Sequence, residues 1–247
     1  MQKIGHGDRI TIYVSRNKAM TFADNGGIDH EAKKSIFGQV VREMENRCPS
    51  MSCFRMHSTD DQCWRVNFKG EGSDDYGGPF RDCLVNIANE MESGVVPLFI
   101  KSPNNRMEHG TYRDCYILNG KSKSPSHLLM LKYLGGLIGF AILSKSPIPF
   151  NFAPIVWKQI IGDTPDIMDL HAIDAYSVQV IQDLQKYSAQ LTDEEFGYTI
   201  DQNFTTVLSN GDEVLLCPNG AQKQVTKENM NEFIKLVLAA RFSEAKE

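Results

Sequence analysis

Residues 70–78, GEGSDDYGG, lie between the strand-like run WRVNF (64–68) and the helix-like run PFRDCLVNIANEM (79–91). A glycine-rich turn from a strand into a helix can cradle a phosphate on backbone amides. A P-loop, however, needs a Lys followed by Ser or Thr to reach the phosphates and magnesium. Here Pro79-Phe80-Arg81 follows the glycines, and Glu71, Asp74 and Asp75 would repel a phosphate. The dinucleotide fingerprint lacks its third glycine at the required offset. The alternating oxygen ligands of an EF-hand are missing too. The stretch reads as a structural turn, with Pro79 in the first turn of the next helix. The rival is a small-molecule enzyme with its site in this loop. Substituting Asp74 and Asp75 with loss of ligand binding but not of fold would favour that rival.

The six cysteines are Cys48, Cys53, Cys63, Cys83, Cys115 and Cys217. Cys48, Cys53, His57 and Cys63 could be imagined as a zinc site. Their spacing is irregular, whereas structural zinc sites pair Cys-x2–4-Cys on each side. A nucleophilic thiol needs a cation, a helix N-terminus or a histidine to lower its pKa. Cys83 sits in the first turn of the helix after Pro79, between its apolar stripe and the flank, and reads as a core or boundary thiol. Cys115 and Cys217 read as core. The six histidines are dispersed. No Gly-x-Ser-x-Gly elbow occurs. The residues alone give no catalytic set, no metal site and no cofactor site.

The elements that would position any site come from 247 residues, 41% hydrophobic and 23% charged, with net charge −5. That is the composition of a globular chain with a real core. It has no lysine or arginine run, which argues against nucleic acid as partner. No signal peptide is visible, so the thiols are expected reduced, in the cytosol or nucleus. The most apolar run, 127–143, is shorter than a spanning helix and contains Lys132; it reads as a buried core helix and not a membrane segment.

Strands are expected at Ile10–Val14, Trp64–Phe68, Val95–Ile100, Arg113–Leu118, Asn203–Leu208 and Glu213–Leu216. Helices are expected at Ser35–Met44, from Pro79 to Gly94, at Ala153–Ile161 and at Asp174–Tyr187. Residues 17–34, 46–63, 101–111 and 163–169 are expected as loops. Thr192 with Glu195 forms a capping box. Thr226 opens a last helix with Met230, Phe233, Ile234, Val237 and Leu238 on its apolar side. That helix runs to the chain end without a cap, so the protein is expected to continue.

The segments WRVNFKGEGSDDYGGPFRDCLVNIANEM (64–91), PLFIKSPNN (97–105), RDCYILN (113–119), LKYLGGLIGFAI (131–142), FAPIVWKQIIG (152–162) and NGAQKQVTKENMNEFIKLVLAAR (219–241) follow one another in a known order. The chain resembles the HECT domain of HECT-type E3 ubiquitin ligases, and the large HERC-type members most closely. The resemblance implies an α+β, mainly helical, bilobal N-lobe. A large sub-lobe would span 1–147 and resume at 211–247. A small sub-lobe, 148–210, would be inserted at the Pro147 and Pro149 break and bind an E2 ubiquitin-conjugating enzyme. The family's C-lobe, which carries the cysteine that accepts ubiquitin as a thioester, has no counterpart in this stretch.

From the same resemblance, the E2 groove falls on helix 174–187 and the segment through Phe204. Ile181, Leu184 and Tyr187 are the leading candidates, with Val180, Phe196 and Ile200 beside them. A stripe at helical spacing fits a groove and a small core equally, and that alternative stays open here. Under the groove reading, Ile181→Ala or Tyr187→Ala weakens E2 binding and leaves thermal stability nearly intact. Some relatives bind a second ubiquitin near the segment matching PLFIKS, where they carry an aromatic and this chain has Lys101; no such exosite is expected. Ubiquitin and protein substrates are the further partners implied. The alternative is a degenerate HECT-like scaffold module without ligase activity.

Overall fold

A computed structural model describes residues 10–54, 62–71 and 78–244. The chain forms two compact units, residues 1–99 with 122–150 and residues 100–121 with 151–247.

The first unit begins with β1 (Thr11–Val14) and α1 (Arg16–Asp24). α1 lies where a loop was expected. Its apolar side is thin, with Ala19 its one buried residue, so periodicity gives little sign of it; the sign is Ser15, whose Oγ accepts the Lys18 amide. α2 (Ile36–Arg47) follows, capped by Ser35. A short 3-10 turn at Ser52–Phe54 interrupts the loop expected over 46–63, and Cys48, Phe54 and Cys63 are buried. β2 (Arg65–Phe68) pairs in parallel with β1, Ile12 against Val66 and Val14 against Phe68. Trp64, Val66 and Phe68 all face the core, as their alternation predicts. α3 (Gly78–Ser93) buries Phe80, Cys83, Leu84, Ile87, Ala88 and Met91. Of the two readings of Cys83, core or boundary, burial selects core. Gly94, at φ +81°, ends the helix in a conformation that favours glycine. Residues 72–77 of the opening loop lie outside the described residues. Its described edge, Glu71, is paired with Arg16.

The chain leaves this unit through β3 (Phe99–Lys101), α4 (Pro103–Met107) and β4 (Tyr116–Leu118), then returns with α5 (Pro125–Ser144). α4 replaces an expected turn: Ser102 caps it and Pro103 sits at its first position. α5 has 20 residues and passes a length-and-composition test for a membrane span at mean hydropathy 1.5. Met130, Tyr133, Leu134, Leu137, Ile138 and Phe140 are buried while Leu128, Ile142 and Leu143 are exposed, so the helix is core along one side only and is longer than the run expected from sequence. Phe80 stands edge-on between Trp64 (5.2 Å between ring centroids) and Phe140 (6.2 Å). Burying each such ring contributes about 1.5–3 kcal/mol.

Two acids, Asp29 buried and Glu90 half-buried, order the start of α2. Asp29 accepts the amides of Lys33, Lys34 and Ser35 at 2.9 Å and the Ser35 hydroxyl at 2.7 Å. Glu90, from α3, accepts the Ile36 and Phe37 amides at 2.6 and 2.8 Å. Burial and the nearby Asp29 charge push the Glu90 carboxyl up to about 7, against the pull of those amides.

In the second unit β3 and β4 form one two-stranded sheet. α6 (Pro154–Ile161), α7 (Ile167–Ile173), α8 (Ala175–Gln190) and α9 (Asp193–Thr199) follow, and α7 begins inside an expected loop. β5 (Thr205–Val207) and β6 (Glu213–Leu215) pair antiparallel, Thr206 against Val214. α10 (Met230–Ser243) packs in this same unit. Sequence periodicity says which face of α10 is buried but not which helices bury it.

Candidate partner-docking site

Asp174 ends α7 and begins α8. Its backbone is extended (φ −151°, ψ 79°), and its carboxylate accepts the Ser177 amide and hydroxyl. Arg241 of α10 reaches the same carboxylate at 2.9 Å. Arg241 also donates to Ser177 Oγ and to Ser209 Oγ, each at 3.0 Å, and to Glu244. Glu244 accepts the Ser209 amide in turn. One guanidinium thus joins the start of α8, the β5–β6 turn and the end of α10. The α7–α8 joint is held from its other side by Asn104 of α4. Asn104 Oδ1 accepts the Ala175 amide at 2.8 Å, and its Nδ2 donates to the carbonyls of Thr111, His171 and Ala172.

With α8 so anchored, Ile181 and Leu184 point into a core shared with Phe196, Phe204, Val225, Met230, Phe233, Ile234 and Val237. The Phe204 and Phe233 rings meet edge-on at 5.5 Å, and Lys223 Nζ sits 3.8 Å over Phe204. A glycine at 220 lets the chain lie on the Phe204 carbonyl, since a Cβ there would be 2.4 Å from that oxygen. α9 is fixed by the expected capping box, Thr192 Oγ1 accepting the Glu195 amide and Glu195 accepting the Thr192 amide. Those bonds from Thr192, together with Lys227, hold the Glu195 carboxyl below its usual range. Lys227 in turn donates to the Leu191 carbonyl at 2.8 Å.

The six candidate residues therefore separate. Ile181 (2% exposed), Leu184 (3%) and Phe196 (1%) are core and offer a partner no surface. Val180 and Ile200 are partly buried against that core. Tyr187, one turn beyond Leu184, is 36% exposed. Leu191, Leu216, Cys217, Leu236 and Leu238 complete the partly buried rim. Leu238 belongs to the stripe read from the last helix; Leu191, Leu216 and Leu236 were not singled out, because their role depends on the meeting of α8 and α10. Lys101 is exposed at the end of β3. Among the described residues no group of three or more His, Cys, Asp and Glu could hold a metal ion.

The chain is a mixed α+β protein, mainly helical. A family model described as HECT-domain (ubiquitin-transferase) matches residues 86–247, and the chain belongs to the HECT-domain family. Among curated proteins it is similar to E3 ubiquitin-protein ligase HERC2 of mouse and of human, at 33% identity over 96% of this chain in each case. It is also similar to the probable E3 ubiquitin-protein ligase HECTD4 of human, at 24% identity over 89% of the chain. The chain spans about 5% of the length of the HERC2 relatives and 6% of HECTD4.

Proposed function

We propose that this chain is the N-lobe of a HECT-type E3 ubiquitin ligase of the cytosol or nucleus, the part that recruits a ubiquitin-charged E2. In the parent protein ubiquitin would pass from the E2 cysteine to a cysteine on a C-lobe, then to a substrate lysine. This stretch would supply proximity, holding the E2 near the acceptor. Taken alone, it is not expected to form a ubiquitin thioester. The observation that carries the reading is the family match over 86–247, which includes all of α8, α9 and α10.

The E2 would dock on the exposed edge of the α8–α10 cluster, against Tyr187, Val180 and Ile200. Ile181, Leu184 and Phe196 would shape that edge from beneath without touching the partner. A small apolar contact with one aromatic anchor suits a carrier that must leave after discharge. Titrating a panel of ubiquitin-charged E2s against the chain tests this. Tyr187→Ala should weaken the best E2 by about tenfold or more, roughly 1.4 kcal/mol. An E2 that binds equally well to both proteins would refute this docking edge. If no E2 in the panel binds the unaltered chain, the scaffold reading replaces the recruiter.

A further inference from the structure

Cys48 terminates α2, and Cys53 lies five residues on in the 3-10 turn. The chain between them doubles back through Met51, whose φ of +57° is unusual for a residue with a side chain. That reversal places the Cys53 amide 3.1 Å from Cys48 Sγ and the Ser52 hydroxyl 3.4 Å from it. The Cys53 amide thus sits directly on the Cys48 sulfur, which sets the two residues side by side in the turn. Cys48 is buried and Cys53 is half-buried, which makes Cys53 the open side of the pair.

We propose that Cys48 and Cys53 are a redox pair that closes to a disulfide on exposure to a peroxide. Cys48 is the attacking sulfur. Burial raises its pKa, but hydrogen bonds from Ser52, Cys53 and Ser50 outweigh burial and leave the thiol below its ordinary value. Its thiolate attacks one peroxide oxygen: an S–O bond forms, the O–O bond breaks, and the departing hydroxide takes a proton to become water. Cys48 is then a sulfenic acid, oxidised by two electrons while the peroxide is reduced. Cys53 is the resolving thiol. Its pKa is driven up by burial and then by the neighbouring Cys48 and the charge there. Oxidation of Cys48 removes that charge, so Cys53 loses its proton more readily once it is needed. Its sulfur attacks Cys48, the S–S bond forms, the S–O bond breaks, and hydroxide leaves as a second water. Two thiols and one hydrogen peroxide give one disulfide and two waters, and thioredoxin-type dithiols would reverse it.

The closed ring would hold the turn that carries Met51 and Phe54 against α5. Phe54 packs on Trp64 at 5.9 Å and on Tyr133 at 6.4 Å. Both Met51 and Phe54 lie over Gly136, where a Cβ would come within 2.5 and 2.8 Å of them. The competing partner is Cys63, which is also buried and whose thiol is pushed up by burial and then by Cys53.

The sequence makes the test direct, because trypsin releases CPSMSCFR (48–55) with both cysteines in one peptide. The full chain is treated with hydrogen peroxide under native conditions, alkylated in denaturant and mapped by mass spectrometry. The expected result is a peptide 48–55 lighter by two hydrogens and refractory to iodoacetamide, restored by dithiothreitol, while half-buried Cys217 stays alkylatable. In Cys53→Ser the Cys48 sulfenic acid should persist and be captured by dimedone. A Cys53–Cys63 link, or peptide 48–55 still fully alkylated when Cys217 is already oxidised, would overturn the proposal. So would dimedone labelling at Cys53 in preference to Cys48.

Discussion

The Arg241 guanidinium donates to Asp174 Oδ2 at 2.9 Å across 67 residues of sequence, and the arginine side chain is fully enclosed. A buried cation contributes stability only while its partners remain, because each unpaired charge bears its desolvation cost. Here the partners are two carboxylates and two serine hydroxyls, one of them in the β5–β6 turn. Arg241→Met should therefore leave buried Asp174 and half-buried Glu244 without their cation and cost about 3–5 kcal/mol. A urea titration should show the midpoint falling with little change of slope. A loss under about 1 kcal/mol would mean that the network is solvated in solution.

Ile181 and Tyr187 should behave oppositely. Ile181→Ala empties a core position and should cost about 2–5 kcal/mol, contrary to the expectation that it would spare stability. Tyr187→Ala removes an exposed ring and should change stability by about 0.5 kcal/mol or less while weakening E2 binding. Thermal melts and binding titrations of both variants separate the two roles. Equal melting temperatures would sink the assignment of Ile181 to the core.

Two glycines predict substitutions of opposite sign. At Gly220 an added Cβ meets the Phe204 carbonyl, and Gly220→Ala should destabilise by about 1–3 kcal/mol. At Gly197, inside α9, a Cβ meets nothing within 4 Å, so Gly197→Ala should stabilise by about 0.5–1 kcal/mol. Differential scanning calorimetry of both proteins checks the pair.

Glu90 makes stability depend on pH in a defined window. Its carboxyl titrates near 7 in the folded chain and near the ordinary 4.5 when unfolded. The folded state therefore binds the extra proton. The stabilisation this gives is complete below about pH 4.5 and is lost as pH rises through about 7. Glu90→Gln, which keeps an oxygen for one of the two α2 amides and removes the charge, should flatten that fall. Melting temperatures of both proteins from pH 4.5 to 8 should diverge progressively in favour of the variant. Parallel curves would show that Glu90 is not held above its ordinary value.

Much of the fold was legible where local chemistry and packing agree. The alternation of Trp64, Val66 and Phe68, the stripe from Phe80 to Met91 and the Thr192–Glu195 box all appear as read. α1 was missed because it buries almost nothing, so its sequence has no apolar period to show. α4 was readable in Ser102-Pro103 as a cap and a first-turn proline, but five residues are too few for periodicity. The docking edge was half legible. The family resemblance pointed to α8, and a stripe of Ile181, Leu184 and Tyr187 at helical spacing does not say where the core stops. That limit is set by α10, whose packing against α8 is a long-range fact. The Cys48–Cys53 contact was missed for a similar reason: it depends on the reversal at Met51, which residue identity does not announce.

Asn104 carries a liability of a different kind. Its amide nitrogen serves three carbonyls at 3.1 Å, and its oxygen takes the first amide of α8. Hydrolysis of that side chain to a carboxylate, the slow lesion of ageing asparagines, would replace its donors with a second acceptor. Three carbonyls would then face a negative oxygen in a pocket where the residue is only 2% exposed. The joint between α7 and α8 would loosen, and the proposed docking edge rests on that joint. The chain's service life is thus tied to the chemical durability of one amide that no partner touches.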